Sequence, residues 1–316
     1  MEERARAAAG TRARRSSDLG LVLFLTPLIW GLTFPAGKLA LDRLSVPAFM
    51  AWSRTLGFLI LLISLPFFAR AYGGLPGLRR AIRPGLVLGA LLFLGYALQT
   101  AGLARTTATN AGFITGLYVV FTPVLALILL RQPTGPAAWA AVAISVVGLA
   151  LLSVASLDTL APRPGDLLVV ASAVAWAGHV VAVGRFTGRY SSAGLALNQM
   201  AVASAFHLAG TFIVGTGLQP EDAASVWPML FLTGVLGSGV AFTIQVFAQR
   251  KLTPARAAII LAGESVFAAL FAAVWLGERL LPHQWIGAVL TVSAMVLSEV
   301  GARRGPAERL DPATAA

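Results

Sequence analysis

The sequence predicts an all-α membrane protein whose ten transmembrane helices form two inverted five-helix repeats. Three observations lead there. Of 316 residues, 57% are hydrophobic and only 12% are charged, about half the charged share of a soluble globular chain. The mean hydropathy is +0.80, and apolar runs long enough to cross about 30 Å of hydrocarbon recur along nearly the whole length. Finally, a single shift lays the second half on the first without a gap: Trp30 falls on Trp176, Gln99 on Gln245, Thr107 on Thr253 and Pro136 on Pro282.

Breaks in hydropathy place the spans near 19–41, 47–69, 84–104, 107–129, 136–155, 165–185, 193–216, 226–248, 254–276 and 282–301. The first follows a basic tail, residues 1–18, which is not a signal peptide. The apolar run after it is too long, and no small-residue cleavage site follows. Pro47, Pro84, Pro136, Pro254 and Pro282 sit where five later spans begin; a proline suits the first helical turn, whose N–H has no partner in any case. The connections carry the turn formers, as in "ARAYGGLPGLRRAIRP", "RQPTGP" and "GLQPEDAASVWP". The domains expected are a tail at 1–18, repeats at 19–155 and 165–301, an outer linker at 156–164 and a second tail at 302–316.

The net charge of +11 points to anionic lipid rather than nucleic acid, because the basic residues gather in the tails and in alternate loops. Of 24 lysines and arginines, only Arg43, Arg105, Arg163 and Arg279 fall in the other loops. That asymmetry puts both termini in the cytoplasm and makes the chain a multi-pass protein of the bacterial cytoplasmic membrane. With no cysteine, disulfides, thiolate catalysis and Cys-based metal sites are excluded.

Each repeat has an odd number of spans, so the second must cross the membrane upside down relative to the first. The loops agree, since the connection between spans 2 and 3 is basic and its mate "GLQPEDAASVWP" is acidic. Inverted repeats are a usual construction of secondary transporters, with the site near mid-membrane at the repeat interface.

Candidate residues follow from depth. Glu264 lies ten residues into span 9, about 15 Å of rise, where an ionisable group must face a cavity or a partner. It reads as a coupling carboxylate or a substrate ligand; the competing reading is a structural acid bonded to a neighbouring hydroxyl. Its repeat mate is Tyr118. Gln99 and Gln245 are mates in spans 3 and 8, offering donors and acceptors to a polar solute or bonding between helices. Trp30 and Trp176 are mates too deep for an interfacial belt, and so form a cavity wall or a packing block. His179, on the same face of span 6 as Trp176, is a candidate for shared proton coupling, and Asn110 in span 4 for cavity lining. Arg54 and Lys38 read as structural charges that anchor or pair. His207 and His283 share no spacing with His179, so no metal site is expected. No phosphate loop follows "GGLPG", so no ATP cofactor is expected either.

These pieces, taken in order, resemble the EamA-like family of the drug/metabolite transporter superfamily. The resemblance rests on "LIWGLTF" with "AVAWAGHVV", on "SRTLGFLILL", on "LQTAGLARTTATNAGFITGLYVVFTPVLA" and on "ILAGESVFAALFAAVWLGERLLPHQWIGAVL". It implies an exporter or exchanger of a small organic metabolite, such as an amino acid derivative, with a cavity lined by spans 1, 3, 4, 6, 8 and 9. The expected partners are that solute, membrane lipid and the proton as coupling ion, with a homodimer left open. One departure is that Glu264 is followed by Ser265 where such proteins often have proline, so no proline breaks the helix beside the acid. The rival classes are a membrane-embedded enzyme, which needs clustered catalytic groups, and a non-transporting scaffold, which needs no paired polar residues at mid-membrane.

Overall fold

The computed structural model describes residues 21–153 and 164–304; the expected first tail, nearly all of the 156–164 linker and residues 305–316 of the second tail lie outside them. The long helices are α1 (Leu21–Leu41), α2 (Val46–Ser64), α3 (Ile82–Leu103), α4 (Ala108–Leu130), α5 (Pro136–Ser153), α6 (Pro164–Phe186), α7 (Ser192–Val214), α8 (Trp227–Ala248), α9 (Pro254–Trp275) and α10 (Pro282–Arg304). Among the described residues, eight are long and apolar enough to cross a membrane. The ten spans expected are therefore not all met on that criterion. α5 is a shorter apolar helix, and α10, which carries Gln284 and Glu299, is not among the eight.

The local chemistry that starts these helices is repeated at mated positions. Ser45 and Ser191 open α2 and α7 by accepting the amides of Ala48 and Gly194, at 3.4 and 3.2 Å. Thr107 and Thr253 open α4 and α9 by accepting those of Asn110 and Arg256, at 3.1 and 3.4 Å. Each hydroxyl satisfies one of the amides that a helix N-terminus leaves without a partner.

Packing follows the same pairing. α3 lies along α6 and α7, and its mate α8 lies along α1 and α2. α4 packs on α6 as α9 packs on α1, while the pairs α5 with α10 and α2 with α7 map onto themselves. The mated helices also run in opposite directions. Lys38, near the end of α1, donates to the Leu103 and Thr106 carbonyls at 3.0 and 2.8 Å. Thr106 donates in turn to Asp166, at the start of α6, at 2.8 Å. Glu278, just past α9, accepts the Ala108 and Thr109 amides and the Thr109 hydroxyl at the start of α4. These bonds gather at the α3–α4 end of the bundle.

Close approach needs small residues. α5 and α10 meet at Gly148 and Gly287, where a Cβ on Gly287 would sit 2.5 Å from the Gly148 carbonyl oxygen. In a bilayer, helix association depends on such packing rather than on a hydrophobic drive. α8 departs from regular geometry: its middle, Phe231–Val240, is π-helical.

At the opposite, α8–α9 end, Arg256 of α9 donates to Glu299 of α10 through Nη2 at 2.6 Å and Nε at 3.2 Å, both side chains largely buried. Breaking a buried pair strands the surviving charge at a cost of roughly 3–5 kcal/mol. Glu299→Ala is therefore expected to lower the thermal midpoint of the detergent-purified protein, and Arg256→Met with Glu299→Met to recover most of the loss. A single variant as stable as the parent would show that the pair contributes nothing.

Candidate functional site

The bundle encloses a cavity between α1, α2, α3, α4, α6, α8 and α9, with about 680 Å³ of empty space counting its mouth. At mid-bundle its walls come in repeat mates: Trp30 with Trp176, Tyr96 with Phe242, Gln99 with Gln245, and Tyr118 with Glu264. The ring contacts repeat likewise. Trp30 meets Phe242 at 4.7 Å between centroids, and their mates Trp176 and Tyr96 meet at 4.8 Å. The pseudo-two-fold axis relating the halves thus passes through this space.

Six residues singled out from the sequence line it together: Trp30, Gln99, Tyr118, Trp176, Gln245 and Glu264. Glu264 is 4% exposed, and the Tyr118 hydroxyl is its polar neighbour. That hydroxyl makes no hydrogen bond of normal geometry. Glu264 begins a half-helix. α9 runs Pro254–Leu261, turns at residues 262–263 and resumes as Glu264–Trp275. Tyr118 occupies the mated place in α4, which breaks after Ala108–Gly116 and resumes as Tyr118–Leu130. The break beside the acid therefore exists without a proline. Gly263 and Ser265 donate three residues back, to Ile260 and Ala262, at 3.2 Å each, and this tight turn does the work. The amides across the turn stay bonded, those of Ser265 and Val266 to the Ala262 and Gly263 carbonyls at 3.2 and 3.1 Å.

Arg54 differs from its expected structural role. Its side chain lines the cavity at 2% exposure. The guanidinium lies over the Tyr96 ring, 3.6 Å from the centroid. Nη2 donates to the Thr233 carbonyl of the π-helical stretch at 3.3 Å, while Nε and Nη1 make no hydrogen bond of normal geometry and have the Tyr96 hydroxyl as their polar neighbour. Among the described residues it forms no ion pair with Glu264 or any other acid. Trp30 Nε1 likewise donates to a π-helix carbonyl, that of Gly237, at 3.0 Å.

Three candidates sit elsewhere. His179 is fully buried behind Trp176 and shares a 2.9 Å hydrogen bond with Gln199. Asn110 is outside the lining, in the first turn of α4. Lys38 is engaged at the α3–α4 end. Tyr96 and Phe242, which sequence reasoning passed over, were marked by aromatic character at mated positions in spans already singled out.

The cavity is not centred. From mid-bundle it extends toward the α3–α4 end, past Gly37, Phe49, Met50, Thr100 and Thr115. The mates of these five, Val183, Leu195, Ala196, Val246 and Leu261, are packed shut at no more than 1% exposure. Below the cavity Gln245 donates to Gln249 at 2.9 Å, Gln249 to the Val180 carbonyl at 3.0 Å, and Thr187 to the Gln249 carbonyl at 3.4 Å.

Apolar helices closed around an off-centre polar cavity, with two mated halves, have the build of a membrane transporter. The model of the EamA-like transporter family matches residues 19–154 and again residues 163–299, and the chain belongs to that family. An uncharacterized transporter of Archaeoglobus fulgidus is 34% identical over 284 residues, spanning 90% of this chain and 86% of that one. A second from the same organism is 26% identical over 290 residues, spanning 90% and 98%. A crystal structure 19% identical superposes with a TM-score of 0.74 over 92% of this chain and 98% of the other, and shares the fold.

The cavity's offset has a direct test, since the native chain has no cysteine to give background labelling. Met50→Cys and Thr100→Cys are expected to react with N-ethylmaleimide at least several-fold faster than the mated Ala196→Cys and Val246→Cys. Equal rates within each pair would mean that the two ends are equally open.

Proposed function

We propose that the protein is a secondary-active exporter or exchanger of a small organic metabolite, such as an amino acid derivative, working by alternating access. One observation carries the reading: mated residues share the middle of the cavity, yet five first-repeat residues line its extension while their second-repeat mates are packed shut. If the two halves exchange conformations, the residues now packed around Leu195, Ala196 and Val246 become the lining, and the same centre faces the other side. In this reading all ten helices span the membrane, α5 and α10 included, and the repeats 19–155 and 165–301 are the moving units. Charge asymmetry places both termini in the bacterial cytoplasm, so the α3–α4 end faces outward and the present cavity is on the outer side.

Glu264 is the coupling group of this proposal. It is the one acid among the lining residues, it sits where a half-helix begins, and intramembrane carboxylates of this kind serve proton relays. Gln99 and Gln245 present amides to the polar part of the solute, while Trp30 and Trp176 face its apolar part. The bonds of Lys38, Asp166 and Glu278 tie helix ends together beside the outer mouth.

Counterflow in proteoliposomes against a metabolite library tests transport itself; no accumulation of any solute would remove the proposal. Glu264→Gln, nearly isosteric, is expected to keep the fold and exchange but to lose at least tenfold of the flux driven by an imposed proton gradient. Gradient-driven flux equal to that of the parent would take the coupling role from Glu264.

A further inference from the structure

We infer that Arg54 is an anion-binding site that takes a single carboxylate of the transported solute. The inference rests on the transport reading above and adds to it the charge of the solute. A guanidinium stays cationic under all ordinary conditions, and isolated charge in hydrocarbon is costly enough that such groups nearly always pair. Arg54 does not. Its Nη2 reaches a neutral carbonyl, its Nε and Nη1 make no hydrogen bond of normal geometry although the Tyr96 hydroxyl is nearby, and no carboxylate among the described residues pairs with it. The Tyr96 face beneath it orients the guanidinium and supplies weak cation–π compensation. This leaves positive charge and free N–H donors at the wall of a cavity.

The rest of the lining selects the kind of anion. Arg54 is the only cation among the lining residues and Glu264 the only acid, and most of the other walls are aromatic or aliphatic. A multiply charged phosphate would meet only one positive group in this lining. A monocarboxylate with an apolar body matches one guanidinium and an aromatic box, forming the strong charge-assisted bonds that planar guanidinium makes with carboxylate. An ammonium would bring a second cation, and a polyol would bring hydroxyl acceptors but no counter-charge.

The test is counterflow in proteoliposomes of the full chain, using indole-3-acetate, 3-phenylpropionate, leucine and phenylalanine, each beside its primary amide and with inorganic phosphate as a further solute. A hydrogen bond to a charged group alters affinity by roughly tenfold or more. The parent is expected to prefer at least one acid over its amide by that factor. Arg54→Gln is expected to bring the ratio close to one, and Arg54→Lys to restore part of it. Removing Arg54 strands no acid, so Arg54→Gln is expected to fold; its thermal midpoint and gel-filtration profile are measured alongside. Should Arg54→Gln fail to fold, the acid-to-amide ratio of Arg54→Lys against the parent decides. Amides or phosphate carried in preference to acids, or an acid-to-amide ratio untouched by substitution at Arg54, would overturn the inference. If nothing in the wider metabolite library is carried, the transport reading fails first. If neutral or cationic solutes are carried and no acid is, transport stands and the assignment of Arg54 falls.

Discussion

A charge held in the middle of a hydrocarbon layer has to be answered by water, a counter-charge or a bound solute, and Arg54 and Glu264 impose that demand on everything around them. Neither pairs with the other, although both line the same cavity. Tyr96 lies under the guanidinium and within electrostatic reach of Glu264. The surrounding aromatic residues keep the space open rather than collapsed. Small residues elsewhere, such as Gly148 opposite Gly287, let the outer helices close tightly enough to compensate.

The pseudo-two-fold axis makes the two halves equivalent in build, and their side chains make them unequal in chemistry. Tyr118 in the first repeat stands where Glu264 stands in the second, and Arg54 where Met200 stands. One mated pair supplies a carboxyl group and the other a guanidinium, so the centre holds one acid and one base rather than two of a kind. The ends differ as well. The α3–α4 end is fastened by carboxylates on hydroxyls and amides, through Asp166 and Glu278, whereas the α8–α9 end is fastened by glutamine amides and an arginine–glutamate pair.

Much of this was legible before any coordinates. Eight of the spans, the offset pairing and six lining residues follow from hydropathy and from polar or aromatic residues at mated depth. What escaped was local. Residues 231–240 hold three glycines, a serine and a threonine, but glycine alone does not announce a π-helical stretch, since the mate within α3 holds two and is α-helical. Arg54 was read by its depth as an anchor because sequence cannot show which neighbours a buried cation lacks. His179 had the right face and height, yet a partner on α7, Gln199, draws it behind Trp176. The break before Glu264 was discounted for want of a proline, although a glycine and a run of short three-residue bonds produce it.

The wide coil in α8 has a geometric corollary. An ordinary helix advances about 100° and 1.5 Å per residue. Tightening the 231–240 segment by one residue would screw everything after it through that angle. Phe242 and Gln245 follow within two turns, and Thr233 and Gly237 inside the segment hold Arg54 and Trp30 by their carbonyls. A single change of winding in α8 would thus regrip the guanidinium and one indole while swinging a ring and an amide of the opposite wall, gearing both sides of the chamber to one shaft.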